Sequence, residues 1–469
     1  MKKVFLLSGC LLAIIMAFTQ PVSQRLQNAF QRFEADSQLR HALSSLYVID
    51  ANTGEVIFDK NSQTGLAPAS TQKIITSVTA FELLGKDYTY KTEFWLNNST
   101  ENYSKKRLIM VRQTGDPTFG SNRFNLTMPA VIFNGLGKAL AERKLPPEAV
   151  TYRLYNNRFP LQKIPDGWIF QDIGNYYGAG AAGFNWKENQ SDILLRSGKR
   201  EGDPVRIAAL DTMAGAGFID NQLKTGSPGS GDNAYYYFQY GNHATSFPLL
   251  QGTIPPGRER FQIAIAVADP FLYFLKELEK SKLIAAGTAL PADFAVVSAW
   301  MPSGQDEKIY THQSPALDSI VYWFNKKSIN LYGEALVKTF AYEKQGYASA
   351  DSGLTILKRF WEEKGLDPEE LNLYDGSGLS PLNRVTTHAQ VEILKYARTR
   401  DWFPYFYEAL PEYNGMKMKS GTISDVKGYC GYHKAKDGRE YIFSFLINNY
   451  SGKTGTAVSK MFQVLDELK

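Results

Sequence analysis

Cysteine is nearly absent. Only Cys10 and Cys430 occur in 469 residues. If the first segment is removed, the mature chain has no internal disulfide, and its stability comes from buried apolar surface. Histidine is scarce too. His41, His243, His312, His388 and His433 are scattered without ligand spacing, so neither a metal nor any other cofactor is expected. No G-x-S-x-G stretch exists, which removes the usual histidine-triad hydrolase arrangement. Basic runs and aromatic-basic grooves are also missing. A formal charge of +5, part of it from Lys2 and Lys3, is too weak to argue for nucleic acid. The longest apolar run, Val4 to Phe18, has fifteen residues, short for a membrane span.

What is present starts with that run. Lys2 and Lys3 ahead of it make residues 1–19 read as an export signal peptide, with cleavage near Thr19. An exported chain without a disulfide fits a bacterial envelope, so a periplasmic or otherwise exported location is expected. The full chain, 43% apolar and 21% charged, has globular composition, and its length implies more than one domain. Leu26, Phe30 and Phe33 share one helical face. Ser45–Asp50 and Glu55–Lys60 alternate around Asn52-Thr53-Gly54, which predicts a hairpin. From about Tyr88 the texture turns to short β-like runs, aromatics and turn signals, including the nearly all-aromatic Tyr235–Tyr240. From Ala316 helical periodicity returns, and Met416–Asn448 reads as three strands before a last helix. The expected organisation is one α/β (α+β) domain made of residues 20–87 and 296–469. A mainly β insert, residues 88–295, interrupts it as perhaps two subdomains.

Chemistry enters at Pro68-Ala69-Ser70-Thr71-Gln72-Lys73. The apolar pattern Ile74, Ile75, Val78, Phe81, Leu84 begins at once and Gly85 ends it. Ser70 then lies in the first turn of a buried helix with Lys73 on the same side. A partly desolvated lysine amine can take the serine proton without histidine. The competing expectation is a helix cap followed by an exposed lysine. A serine-lysine acyl transferase also needs a Ser/Asn motif and a K-[ST]-G motif downstream. S-x-x-K recurs at Ser424/Lys427, without a helical pattern. S-x-N occurs at Ser328-Ile329-Asn330. K-[ST]-G occurs at Lys224-Thr225-Gly226, ahead of the Ser/Asn motif, and at Lys453-Thr454-Gly455, before the last helix. Lys419-Ser420-Gly421-Thr422 alone ends an alternating strand, where an extended peptide can add to an edge.

This set resembles the low-molecular-mass penicillin-binding proteins of the D-alanyl-D-alanine carboxypeptidase/endopeptidase family that carry a large insert. More than half the chain separates Ser70 from Ser328, as that insert requires. Gly115-Asp116-Pro117-Thr118, Gly252-Thr253-Ile254-Pro255, Ala268-Asp269-Pro270 and Asp375-Gly376-Ser377-Gly378-Leu379-Ser380 are further stretches similar to the family. The resemblance implies a penicillin-recognising, serine transpeptidase/β-lactamase-like domain. It implies Ser70 as nucleophile, Lys73 as base, Ser328 as proton relay and Asn330 as a contact for the substrate amide. Lys419 would supply positive potential, and Thr422 with Ser424 would bind the substrate's terminal carboxylate, on the strand that Ser420 and Gly421 continue. The backbone N–H groups of Ser70 and Thr422 would form the oxyanion hole. Ile329 and Ser420 depart from common family choices without removing a required group. Gly167-Trp168, Asp172 and Tyr177 resemble the family segment lining a diaminopimelate pocket; the plain alternative is a surface loop with a structural tryptophan. The implied partners are peptidoglycan stem peptides, with β-lactams as acylating inhibitors. Two rival functions share features with this reading: a secreted serine β-lactamase, and a catalytically weak protein that binds the cell wall.

Overall fold

Alternation along the C-terminal strands sets the architecture. Met416, Met418, Tyr429, Phe443 and Phe445 are buried in one apolar cluster, whereas Lys419, Cys430 and Ser444 between them serve another purpose. The computed structural model describes residues 20–97, 106–155, 158–211, 218–238, 247–287 and 301–469. The expected export signal, residues 1–19, lies outside the described residues. Among the described residues no helix is long and apolar enough to cross a membrane.

The principal elements begin with α1 (Val22–Glu34), β1 (Leu43–Asp50), β2 (Val56–Lys60) and α2 (Lys73–Leu84). Next come β3 (Lys91–Asn97), β4 (Arg107–Arg112), α3 (Pro129–Glu142) and β5 (Val150–Tyr155). Then follow β6 (Gln190–Arg196), β7 (Arg206–Leu210), β8 (Asn233–Tyr237), β9 (Leu249–Ile254), β10 (Phe261–Ala266), α4 (Pro270–Lys280) and β11 (Glu307–Gln313). Four helices follow: α5 (Leu317–Lys326), α6 (Asn330–Gln345), α7 (Ala350–Glu362) and α8 (Thr387–Arg398). The chain closes with β12 (Met416–Ile423), β13 (Val426–Lys434), β14 (Glu440–Asn448) and α9 (Thr454–Leu465). These elements fall into two compact units. One runs to Val78 and adds Trp361–Leu373 and Leu382–Lys469; the other is Thr79–Phe360 with Tyr374–Pro381.

The first unit is built on a six-stranded sheet in the order Glu412–Tyr413, β12, β13, β14, β1, β2, antiparallel throughout. The N-terminal hairpin thus completes a sheet whose other strands lie at the C-terminus. Because side chains alternate across a strand, one face carries Leu46, Val48, Phe443 and Phe445 into a cluster with α1 and α9. The Phe445 ring centroid lies 5.1 Å from that of Phe33, edge to face, and 5.7 Å from that of Phe30, tilted. The other face buries Ile49, Ile442 and Leu446 and adds hydrogen bonds between side chains. Ser45 Oγ lies 2.6 Å from Thr387 Oγ1, and Ser444 Oγ donates to Gln390 Oε1 at 2.6 Å, both on α8. Thr386 caps α8 by accepting from Ala389 N, a residue type suited to that position.

The second unit holds three small sheets and the helices α3 to α6. One sheet runs β11, β3, β4, β5, with β4 and β5 parallel across the α3 crossover. A second runs β10, β6, β7, and the third pairs β8 with β9. Asp375–Ser380 forms a tight turn. Asp375 accepts from Gly378 N, Ser380 N and Trp168 Nε1 at 2.7, 2.6 and 2.8 Å. Gly333 and Gly376 let α6 and this turn approach backbone to backbone, since a β-carbon on Gly376 would lie 2.4 Å from Gly333 O.

Candidate active site

The Ser70 segment is a short 3-10 turn, Ala69–Gln72, leading directly into α2. Ala69 is left-handed at φ +45°, a conformation a side chain disfavours and one that recurs at functional turns. The turn is held by side chains. Thr71 Oγ1 donates to Pro68 O at 2.7 Å and accepts from Gln390 Nε2 at 2.9 Å. Lys73 is completely buried, and its Nζ lies 2.9 Å from Ser70 Oγ. The exposed lysine of the competing expectation is therefore not what the chain forms.

Strand β12 approaches this turn at Gly421. A β-carbon there would lie 2.5 Å from Pro68 O, 2.8 Å from Thr71 N and 2.9 Å from Ser70 N. Only glycine allows the two backbones so close. Two residues earlier, Lys419 is 1% exposed and donates to Ser420 O at 2.7 Å. Burial first, and then the charge of Lys73, push the Lys419 amine well below its usual range. The repulsion is mutual, so the pair is disfavoured from carrying two full charges. Thr422 accepts from Lys427 Nζ at 2.8 Å, its partner in register on β13. Burial pushes Lys427 down to about 8. Ser424 is exposed at the tip of the β12–β13 turn, followed by left-handed Asp425. The second S-x-x-K is thus a hairpin tip, and its lysine reaches Thr422 instead of Ser424.

The second unit holds the other motif. Ser328 is left-handed at φ +57° and half-buried, and Asn330 opens α6. Asn330 Nδ2 donates to Tyr177 O at 2.8 Å. Tyr177 is hydrogen-bonded through its hydroxyl to Asp172, whose carboxyl burial pushes up while that bond lowers it. Ser328, Asn330, Asp172 and Tyr177 are therefore neighbours within one unit. Ser70, Lys73, Lys419, Ser420, Gly421, Thr422 and Ser424 belong to the other.

Sequence reasoning missed three groups. Gln390 and Thr71 carry the bonding that fixes the turn, and nothing in spacing marks Gln390. Lys427 was legible in principle, because a two-residue turn at Ser424-Asp425 pairs it with Thr422. Neither remote K-[ST]-G contributes to this unit's site: Lys453 is the N-cap residue of α9, and Lys224-Thr225 forms a two-residue strand against β9.

The D-Ala-D-Ala carboxypeptidase 3 (S13) family model matches residues 26–412. A D-alanyl-D-alanine carboxypeptidase of Actinomadura sp. (strain R39) is 26% identical over 92% of this chain and 82% of its own. The D-alanyl-D-alanine carboxypeptidase DacB of Haemophilus influenzae is 23% identical over 87% and 85%. The fold is similar to the crystal structure of penicillin binding protein 4 from H. influenzae, at a TM-score of 0.74 and 18% identity. That match covers 94% of this chain and 99% of the other. A second structure of that protein is a complex with a β-lactam, at a TM-score of 0.68. With the family match spanning most of its length, the chain belongs to the D-Ala-D-Ala carboxypeptidase 3 (S13) family.

Proposed function

We propose that this serine DD-peptidase cleaves peptidoglycan stem peptides through an acyl-enzyme on Ser70. The observation that carries the reading is the fully buried Lys73 amine 2.9 Å from Ser70 Oγ, a nucleophile and base within proton-transfer reach. Ser70 Oγ attacks the carbonyl carbon of the penultimate D-alanine while Lys73 takes its proton. The backbone N–H groups of Ser70 and Thr422 stabilise the tetrahedral oxyanion. The C–N bond then breaks, and Ser328 relays a proton to the leaving amine. Water enters, loses a proton to the same base, and releases the shortened peptide with Ser70 restored.

Asn330 bonds the substrate amide, and β12 at Ser420 and Gly421 pairs with the extended peptide. The terminal carboxylate is bound by Lys419, Thr422 and Ser424. Its negative charge favours the ammonium form of Lys419, which burial alone disfavours. The Asp172 carboxylate, with Tyr177 beside it, suits the free amine and methylenes of a diaminopimelate side chain. When the leaving amine belongs to a cross-link instead of D-alanine, the same steps make the enzyme an endopeptidase. β-Lactams acylate Ser70 as mimics of the dipeptide. The substrate's location, with the apolar segment after Lys2 and Lys3, supports export to the periplasm.

The test is mass spectrometry of isolated muropeptides with wild type and Ser70→Ala, alongside labelling with fluorescent penicillin. Loss of D-alanine and stable labelling, both absent in Ser70→Ala, are expected. Rapid penicillin turnover with untouched muropeptides overturns the reading in favour of a β-lactamase.

A further inference from the structure

Beside Ser328-Ile329-Asn330, the second unit has a half-open cleft of about 330 Å³, lined also by Arg123, Tyr177, Gln190, Gln262 and Lys327. That is the low end of small-ligand pockets, about 300–1,000 Å³. The peptide chemistry assigned above uses Ser328, Asn330 and Tyr177 of this lining and leaves Arg123, Lys327, Gln190 and Gln262 without a use.

Its polarity is specific. Arg123 Nε donates to Glu188 Oε1 at 2.8 Å, and the guanidinium lies 5.6 Å over the Trp323 ring. Its two terminal amino groups make no hydrogen bond among the described residues. Lys327 forms no ion pair among the described residues, and the carboxamides of Gln190 and Gln262 make no hydrogen bond among them. Against these two cations the lining holds one acid, Asp232, which is exposed and accepts from Ala234 N. A guanidinium fixed at Nε still presents two N–H groups side by side, the fork that matches a carboxylate.

The fold keeps Arg123 in this position at a conformational cost. Glu188 lies in a run of three left-handed residues, with φ +52°, +57° and +52° at Lys187, Glu188 and Asn189. Lys187 and Glu188 both disfavour that conformation. The run persists because it is over-determined. Asn189 bonds Gly180 O and Asn185 Oδ1, and Lys187 bonds Glu277 and Tyr273. Buried Glu188 Oε1 then accepts from Ser121, Arg123 and also Tyr332 of α6, the helix that Asn330 opens. Arg123 and the Ser328–Asn330 turn are therefore braced by one carboxylate.

We infer that this cleft is a subsite for a carboxylate of the substrate peptide upstream of the D-alanines, held by Arg123 and Lys327 with Gln190 and Gln262 on the adjoining amides. The inference rests on the DD-peptidase reading and names what that site selects. It adjoins the Asp172–Tyr177 pair, which suits an amine, and differs from it in the sign of charge it takes.

Two synthetic peptides ending in D-Ala-D-Ala test it, identical except that one upstream carboxylate is a primary amide in the second. Wild type is expected to favour the acid by about tenfold in kcat/KM, the difference lying in KM. Lys327→Met should cut that preference to within about twofold and Lys327→Glu should reverse it, while Lys344→Met, on the last turn of α6, retains it. Arg123→Lys, checked for folding by its melting curve, should also lose the preference. Equal use of both peptides by wild type overturns the inference, as does an undiminished preference in Lys327→Met that still reacts with penicillin. A wild type that takes no penicillin overturns the underlying reading and this inference with it.

Discussion

At the scale of single residues, the site depends on lysines kept out of water. Lys73 and Lys419 are both buried and each disfavours the other's charge. Lys427, 7% exposed, offers the clearest measurable consequence. Its folded value of about 8 lies below the roughly 10.4 of an unfolded lysine, so the unfolded chain binds more protons between those values. Stability contributed by this residue therefore rises with pH across that window and is flat below it. The melting-temperature difference between wild type and Lys427→Met should grow in favour of wild type from about pH 8 to pH 10. A difference constant over that range shows that Lys427 stays charged in the fold. Thr71 is the neutral counterpart: Thr71→Val keeps the shape but strips the bonds to Pro68 O and Gln390. The cost expected is about 1–3 kcal/mol in denaturant unfolding, with slower acylation because the turn loosens. Unchanged acylation would show that the 3-10 turn is held by packing alone.

At the scale of elements, one glycine decides how close a strand can come to a turn. Gly421→Ala puts a methyl group 2.5 Å from a carbonyl oxygen and 2.8 Å from a backbone nitrogen, and neither can rotate away. Strand β12 must retreat, and displacements near 1 Å at a reacting centre cost about a hundredfold. Penicillin acylation followed by stopped flow should slow by at least about that factor. Gly455→Ala, in the K-[ST]-G rejected on context, meets no atom within 4 Å and should acylate at the wild-type rate. Equal rates in both variants would remove β12 from the site. The contrast explains what was legible in advance. Strand alternation, the helical run after Lys73 and the Gly85 stop, at φ +82°, are local patterns, and they delivered both elements that flank Ser70. The close approach of Gly421 to Ser70, and the Gln390 link that fixes Thr71, join residues more than 300 positions apart, so no local period encodes them. The left-handed backbone at Ala69 and Ser328 was equally hidden, since both are residue types that rarely adopt it.

At the scale of the whole molecule, the chain's two ends build the sheet that carries the Ser70 turn. β1 pairs with β14 over eight residues, Leu43–Asp50 against Tyr441–Asn448, and α1 and α9 share the cluster beneath. Such distant pairing is slow to form, because loop closure precedes any contact energy. It also makes the N-terminal helix a structural requirement of a site that none of its residues enters. Phe445 is the test position, with Phe30 and Phe33 of α1 packed on its ring. Phe445→Ala removes a fully buried ring and should cost about 3–5 kcal/mol. Because the sheet, α1 and the Ser70 turn lie in one unit, loss of penicillin acylation and loss of far-ultraviolet dichroism should share one shifted midpoint in denaturant. Acylation persisting well past the dichroism midpoint would mean that the Ser70 turn stands without the sheet, and that its geometry is local to Pro68–Lys73 after all.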